Sequence, residues 1–439
     1  MHIFLAVHHF PPRYTGGAEW RAFRTARALL SRGHRVEVAA VEDVRSTEYG
    51  AQGTEYGVQS TEYEGVPVHR LYFNLQAAPD PFRWSWDNPW LGDFFRERFA
   101  AQKPDVFHLF SGYLMTGRPL RVAQDMGIPT VVSLTDFWFL CPRITMLRSD
   151  GTLSTLPIDP ARCARCLGEE KRRFRYLGRT APRLAQGYWR LQKRNANAIR
   201  QRLDYLIETL NRTDCAISPS RFVREMHIRA GVSPERVVFS RQGRDFPALG
   251  EEARKKVPAP RLRVGYIGQI APHKGVHTLL EAVRSLPDAP LEVHLYGDAA
   301  PFPKYTRRLK ALSAGDRRIH WEGVFPRQKI GEVHRNLDVL VVPSVWYENS
   351  PNTILEAFAY GTPVLASDLG GMAELVQPGE NGLRFPPGDA RTLATHLHAL
   401  AADKSRLNAL RPSAKDIPTV AQEIDALEEI YRRYARGGR

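Results

Sequence analysis

Four cysteines in 439 residues are too few for a disulfide framework. No apolar run approaches the ~20 residues that a bilayer-spanning helix needs. The first strand begins at once after Met1, with no signal-peptide pattern ahead of it, so the expectation is a protein made and kept in the cytoplasm. Zinc-finger histidines, RNP-like segments and heptad zippers are also missing, and nucleic acid is not an expected partner. There is no Gly-x-Gly-x-x-Gly fingerprint, which argues against a dinucleotide cofactor. No convincing Asp-x-Asp pair offers ligands for a catalytic metal, so no cofactor is expected to be required.

What is present bounds the answer from the other side. A chain of 439 residues is too long for one core and implies two domains of roughly 200 residues each. With 43% hydrophobic and 25% charged residues it has the balance of a soluble globular protein. The net charge of +15 is unevenly spread: between Arg162 and Arg202, thirteen Lys or Arg face only Glu169 and Glu170. Phe174, Tyr176, Tyr188 and Trp189 lie within this basic stretch, which reads as helices. Two readings stand, a solvated basic face or a surface drawn to an anionic membrane or lipid diphosphate. The second would place the protein peripherally on the inner face of the cell membrane.

The most informative stretch runs from Pro343 to Val364. A buried strand, Val339 to Val342, stops at Pro343-Ser344. Ser350-Pro351 then announces a helix, with Ser as N-cap and Pro at the first helical position. Ile354, Leu355, Phe358 and Ala359 repeat at helical spacing, and Gly361 closes the helix. The amides of Asn352, Thr353 and Ile354 would point out of the helix start, where the dipole favours phosphate. Glu348 precedes that turn and Glu356 lies two turns into the helix. An anion receptacle with two carboxylate acceptors suits a phosphorylated ligand rich in hydroxyls.

The spacing Glu348-(seven residues)-Glu356, followed by Leu-Glu-Ala-type and Gly-x-Pro-Val sequence, resembles the E-x7-E motif of the retaining family 4 glycosyltransferases. The resemblance implies the GT-B fold: α/β, with two Rossmann-like, doubly wound parallel-sheet domains facing a cleft. It implies that Glu356 holds the ribose hydroxyls of a nucleotide-sugar donor and Glu348 a hydroxyl of the transferred sugar, with Asn349, Ser350, Asn352 and Thr353 around the donor. Lys274-Gly275 matches the family's diphosphate-binding lysine, after Gly268 and Gln269; Gln269 stands where an Arg is usual. Gly323-Val324 would border the nucleobase, and Gly16-Gly17, after strand His2 to Val7, would face the diphosphate. A plain tight turn is the alternative for that glycine pair. At the carboxyl end of strand Val131 to Leu134 come Thr135 and Asp136. Thr135 takes the place of a histidine that contacts the donor sugar in many members. A Thr hydroxyl donates a hydrogen bond but is no base near neutral pH. Asp136, a histidine elsewhere, or the substrate phosphate would then take over.

The remaining stretches carry less chemistry. Thr-Glu-Tyr recurs at 47, 54 and 61 and reads as a duplicated surface loop. The aromatic stretch Phe82 to Trp90 reads chiefly as packing, with sugar stacking as the alternative. Cys141, Cys163 and Cys166 are weak candidates for a structural zinc, lacking a fourth ligand, and read chiefly as reduced thiols. Domain boundaries are expected at 1–246, a linker at 247–260, a donor-binding domain at 261–415 and a helix over 416–439 returning to the first domain.

The expected function is retaining, metal-independent glycosyl transfer from a UDP- or GDP-sugar to a hydroxyl of a glycan or lipid-linked acceptor, in cell-surface polysaccharide or glycoconjugate synthesis. The alternatives are a non-catalytic nucleotide-sugar-binding protein or another GT-B enzyme such as an epimerase.

Overall fold

The computed structural model describes residues 1–43, 56–246, 256, 259–410, 412 and 417–437. The chain forms two compact units, Met1–Gln242 with Val420–Arg439, and Gly243–Thr419. Most of the stretch expected as a linker lies outside the described residues.

In the first unit an eight-stranded sheet has the order β3-β4-β2-β1-β5-β6-β7-β8. Its strands are β1 (His2–Val7), β2 (Arg35–Asp43), β3 (Tyr56–Tyr63), β4 (Val66–Phe73), β5 (Val106–Phe110), β6 (Thr130–Ser133), β7 (Cys215–Ser218) and β8 (Val237–Phe239). Nine helices surround it among the described residues before the terminal one: α1 (Gly17–Ser31), α2 (Pro81–Trp84), α3 (Pro89–Gln102), α4 (Arg118–Asp125), α5 (Pro160–Gly168), α6 (Arg172–Thr180), α7 (Pro182–Leu191), α8 (Lys193–Arg212) and α9 (Arg221–Arg229). Every residue of β1 is buried, because helices cover both faces of a parallel sheet. Ile3, Leu5 and Val7 pack with Ala22, Ala26 and Leu29 of α1, and with Ile424, Leu427 and Tyr431 of the terminal helix Val420–Gly437. Phe4 meets Phe95, Phe99 and Phe107 on the opposite face. Each large apolar side chain buried this way contributes about 1.5–3 kcal/mol.

One expectation is corrected here. The third Thr-Glu-Tyr is not in a loop but in β3, the sheet's antiparallel strand, where Thr61 faces Val68 and Tyr63 faces Val66. Glu64 and Gly65, both at positive φ, make the two-residue turn that such a hairpin needs. The copies at 47 and 54 begin outside the described residues. The aromatic stretch goes into packing: Trp86 lies against Tyr205, and Trp90 against Tyr56 and Phe73.

The second unit has a six-stranded parallel sheet in the order β11-β10-β9-β12-β13-β14. The strands are β9 (Leu262–Ile267), β10 (Leu291–Tyr296), β11 (Ile319–Gly323), β12 (Val339–Val342), β13 (Val364–Ser367) and β14 (Gly382–Phe385). The helices are α10 (Val276–Arg284), α11 (Pro303–Leu312), α12 (Ile330–Arg335), α13 (Asn352–Ala359), α14 (Gly370–Leu375) and α15 (Ala390–Ala402). One apolar cluster, around Leu279, Leu309 and Leu397, covers one face, and another, around Ile354, Phe358 and Met372, covers the other. Chain order runs outward in opposite directions from β9 and β12, so a topological switch point lies between them. No helix among the described residues is long and apolar enough to cross a membrane.

Candidate functional site

The loops leaving β9 and β12 meet at that switch point. After β9 the chain passes Gly268 and a short turn, Pro272–Lys274, before Gly275 leads into α10 as its N-cap. Gly275 has φ +70°, and a Cβ there would stand 1.8 Å from the Pro343 carbonyl oxygen. Only glycine lets the two backbones run this close. Val345 N donates to His273 O at 2.9 Å and fastens the two loops together.

This contact delivers Lys274 to Glu348. Three donors converge on Glu348 Oε1: Lys274 Nζ at 2.6 Å, Trp346 Nε1 at 2.8 Å and Ser344 Oγ at 2.9 Å. Burial alone would raise the Glu348 pKa, but the Lys274 charge and these hydrogen bonds outweigh it and hold the carboxyl below its ordinary range. The Lys274 ammonium also sits 5.1 Å from the Trp346 ring centroid. His273 also packs on Trp346, with ring centroids 4.4 Å apart, and burial, then the Lys274 charge, pull it down to about 4. It is neutral at pH 7.

The helix after Glu348 begins one residue later than the sequence implied. Pro351 is the N-cap of α13, no side chain caps it, and Ser350 Oγ is buried without a hydrogen-bond partner among the described residues. The Ile354 amide donates to Pro351 O at 3.1 Å, which leaves Asn352 and Thr353 as the outward amides of the first turn. Gly361, at φ +66°, closes the helix as expected. A Cβ on Gly371 would stand 2.1 Å from Asn349 O, and its amide donates to Glu348 O at 2.8 Å, so the start of α14 supports the Glu348-Asn349 loop from behind.

Glu356 is buried on α13 and meets the guanidinium of Arg327, Nη2 to Oε1, at 3.1 Å. Here burial wins over Arg327 and Arg244, and the carboxyl titrates above its ordinary range. Arg244 Nη2 donates to Asn352 Oδ1. Sequence reasoning passed over Arg244, Arg327, Ser344 and Trp346. Arg327 was findable four residues beyond Gly323 at the end of β11, and Trp346 lay inside the central stretch; Arg244 gave no signal. Val324 is 74% exposed, and the Gln269 side chain faces solvent. The Gln269 carbonyl accepts from Tyr266 Oη at 2.7 Å.

In the first unit, Gly16 is the N-cap of α1, and Glu19 folds back over it. Glu19 Oε2 stands 2.6 Å from where a Gly16 Cβ would be, and Oε1 is 3.3 Å from His8 Nε2. Burial raises the Glu19 pKa, but the His8 hydrogen bond and charge leave it lowered overall. The helix start at Gly16-Gly17, read as an anion receptacle, thus already holds a carboxylate. Asp136 is engaged on both oxygens: Oδ2 accepts from Ser111 Oγ at 2.6 Å and lies 3.4 Å from Thr135 Oγ1, and Oδ1 accepts from Trp138 N at 2.8 Å. The carboxylate organises the turn after β6. His8, whose Nδ1 is buried without a partner among the described residues, lies edge-on to Tyr113 at the same carboxyl edge of the sheet.

Cys141, Cys163 and Cys166 line one small cavity together, with Met146 and Leu147. Among the described residues Cys141, Cys163 and Cys166 do not all lie within 4.8 Å of one another. Burial pushes the thiols of Cys141 and Cys163 up, the latter to about 12, which keeps them protonated. Cys166 Sγ instead accepts from Ser149 N at 3.2 Å.

Two doubly wound parallel-sheet units, the second with its charged side chains gathered at a switch point, define the GT-B class. Residues 16–243 match the profile of the glycosyl transferase 4-like domain and residues 261–403 that of the glycosyl transferases group 1; the chain belongs to this glycosyltransferase family. It is 34% identical over 152 residues to the D-inositol 3-phosphate glycosyltransferase of Corynebacterium efficiens, covering 32% of this chain and 36% of that protein. It is 30% identical over 194 residues to the lipopolysaccharide core biosynthesis glycosyltransferase LpsE of Rhizobium meliloti, covering 44% and 55%. The chain therefore spans about half or less of these relatives. Among solved structures, Anabaena Alr3699/HepE in complex with UDP and glucose aligns over 97% of this chain and 98% of its own, with TM-score 0.60 and 18% identity. The lipopolysaccharide outer core galactosyltransferase WaaB, apo form, aligns over 99% of both chains, with TM-score 0.63 and 14% identity. At these identities the likeness is one of fold.

Proposed function

We propose that the protein transfers a sugar, with retention of configuration, from a UDP- or GDP-sugar to a hydroxyl of a glycan or lipid-linked acceptor in polysaccharide or glycoconjugate synthesis. The observation that carries this reading is the pairing of Lys274 with Glu348 at the switch point, with Glu356 and the Asn352 and Thr353 amides beside it. On donor binding the Lys274 ammonium exchanges Glu348 for the diphosphate, acting as a point charge together with the helix amides. Glu348, released from its counter-charge, accepts from a hydroxyl of the sugar, and Glu356 accepts from the ribose. The acceptor hydroxyl attacks on the face the diphosphate leaves, and a phosphate oxygen takes its proton. Positioning and charge stabilisation supply most of the rate, and no metal is needed. LpsE is named for lipopolysaccharide core synthesis and HepE was solved with UDP, which supports the donor and acceptor classes.

Calorimetry with UDP-, GDP- and ADP-sugars in the presence of a chelator tests the donor and the absence of a metal requirement. NMR of the product's anomeric centre tests retention. Glu356→Ala is expected to lose most nucleotide affinity, and Glu348→Ala chiefly turnover. Unchanged affinity and rate in both variants overturns the assignment.

A second reading, a nucleotide-sugar-binding protein without turnover, is favoured by one observation: Thr135 holds the position of the family's histidine, and the neighbouring Asp136 carboxylate is engaged by Ser111 and Trp138 N. Intact binding with no turnover, and activity gained in Thr135→His, would establish it.

The lipid-linked acceptor and a peripheral membrane location rest on α7. Leu184, Tyr188 and Leu191 share one face of that helix, and Leu184 and Leu191 are 71% and 79% exposed. Arg183, Arg190, Lys193 and Arg194 are exposed around them.

A further inference from the structure

On the solvent side of the second unit's edge, Glu292, His294 and His320 bring one ligand atom each within 4.8 Å of one another. Their placement follows from the strands. Glu292 and His294 are two residues apart on β10 and so share a face. His320 on β11 is the cross-strand partner of His294, and the two rings stack at 4.9 Å. Leu291, Val293 and Leu295 point the other way, into the core, which fixes the register.

The imidazole of His294 is oriented by a fourth residue. Its Nδ1 lies 2.8 Å from Glu322 Oε1, so the carboxylate draws the proton to that nitrogen. The other nitrogen, Nε2, is buried, has no hydrogen-bond partner among the described residues and lies 3.5 Å from Glu292 Oε1. With the proton on Nδ1, the Nε2 lone pair faces that carboxylate, an unfavourable contact that a cation between them relieves. A carboxylate holding the far nitrogen of a ligating histidine is the usual outer shell of a metal site. Tetrahedral ions with bonds of about 2.0–2.1 Å hold their ligands about 3.4 Å apart, close to the spacing already present between Glu292 and His294. His320 is exposed, and one of its ring nitrogens already lies within 4.8 Å of both other ligand atoms.

We propose that Glu292, His294 and His320 bind one divalent first-row transition ion, Zn2+ being the natural occupant of an N/O set, with Glu322 as the positioning residue for His294. The ion ties the edge strand β11 to β10. The chain leaving β11 carries Arg327 to Glu356, so the ion also fixes the base of that loop. The site stands apart from the cysteines, which belong to the other unit.

The test uses the full chain without a polyhistidine tag, titrated with Zn2+ by calorimetry and with Co2+ by absorption spectroscopy. One ion per chain is expected, with visible Co2+ bands and no thiolate charge-transfer band, and the melting temperature should rise with Zn2+. His320→Ala, at an exposed position, is expected to weaken binding at least about 10-fold, and Glu322→Gln about 10–100-fold. Cys163→Ser with Cys166→Ser should leave it unchanged. A thiolate band lost in the cysteine variant, equal affinity in His320→Ala, or no ion bound at millimolar Zn2+ each overturns the proposal. The melting temperatures of the metal-free variants report whether they fold.

Discussion

Lys274 Nζ lies 2.6 Å from Glu348 Oε1, and the two side chains come from loops on neighbouring strands 74 residues apart. The pair holds a buried carboxylate in its charged form at the place where a donor diphosphate would compete for the same ammonium. Lys274→Ala is expected to destabilise the second unit by about 3 kcal/mol, because it leaves a buried charge without its partner. Adding Glu348→Gln should restore most of that loss. Urea denaturation of the two single variants and the double variant measures the coupling; purely additive losses would show that the pair does not act as a unit.

The two glutamates titrate in opposite directions, and this sets a sign for each. Glu348 has a folded pKa below its unfolded value, so its contribution is complete above the ordinary glutamate range and is lost as pH falls through the folded value. Glu356 has a raised folded pKa, so the folded state favours its protonated form and stability falls as pH rises through the interval between unfolded and folded values. Glu356→Gln is therefore expected to stabilise the protein at pH 7 by about 0.5–2 kcal/mol while weakening nucleotide binding. At a pH below the ordinary glutamate range the difference should disappear. Thermal melts of both proteins across that range decide it.

Much of this was legible in the sequence because the informative residues are local. The run Val339–Val342, the helical repeat through Phe358 and the closing Gly361 each act through neighbours a few positions away. The strands β1 and β12 have the bounds the sequence implied. What stayed hidden depends on distant partners. Nothing near Arg244 announces Asn352, and nothing near Arg327 announces Glu356. The Ser350-Pro351 cap failed because the loop turns so that Ser350 Oγ is buried while Pro351 stays extended, with ψ of 114°. The strand β3 was missed because Glu64-Gly65 is a weaker hairpin signal than Asn-Gly.

Arg21 Nε lies 2.6 Å from Glu423 Oε1, with both side chains 2% exposed. Near it, Tyr431 Oη meets His108 Nδ1 at 2.5 Å, and His108 Nε2 meets Ser133 Oγ at 2.9 Å. The terminal helix is thus tied into the first unit by buried polar contacts as well as by Ile424 and Leu427. Glu423→Ala is expected to cost about 3–5 kcal/mol, since it strands a buried guanidinium. Arg21→Met with Glu423→Leu should lose far less. Chemical denaturation of these variants compares the two; a mild loss in Glu423→Ala would mean that solvent reaches Arg21.

The exposed face of α7 makes a prediction that separates charge from apolar insertion. Leu184, Tyr188 and Leu191 recur at helical spacing, about a third of a turn round from the buried Ala185 and Trp189. In a membrane-bound state such a helix would lie in the plane of the bilayer, with its apolar stripe among the acyl chains and its arginines at anionic headgroups. Each basic residue near such a surface adds about 1 kcal/mol, and salt screens this attraction. The protein is therefore expected to sediment with phosphatidylglycerol vesicles and not with phosphatidylcholine vesicles at low salt. Leu184→Ser with Leu191→Ser should reduce binding several-fold at any ionic strength, whereas Arg183→Gln with Arg190→Gln should reduce it mainly at low salt. Equal binding by all three proteins would place the contact on some other surface, and binding to both vesicle types would show that the charge of the stretch has no part in it.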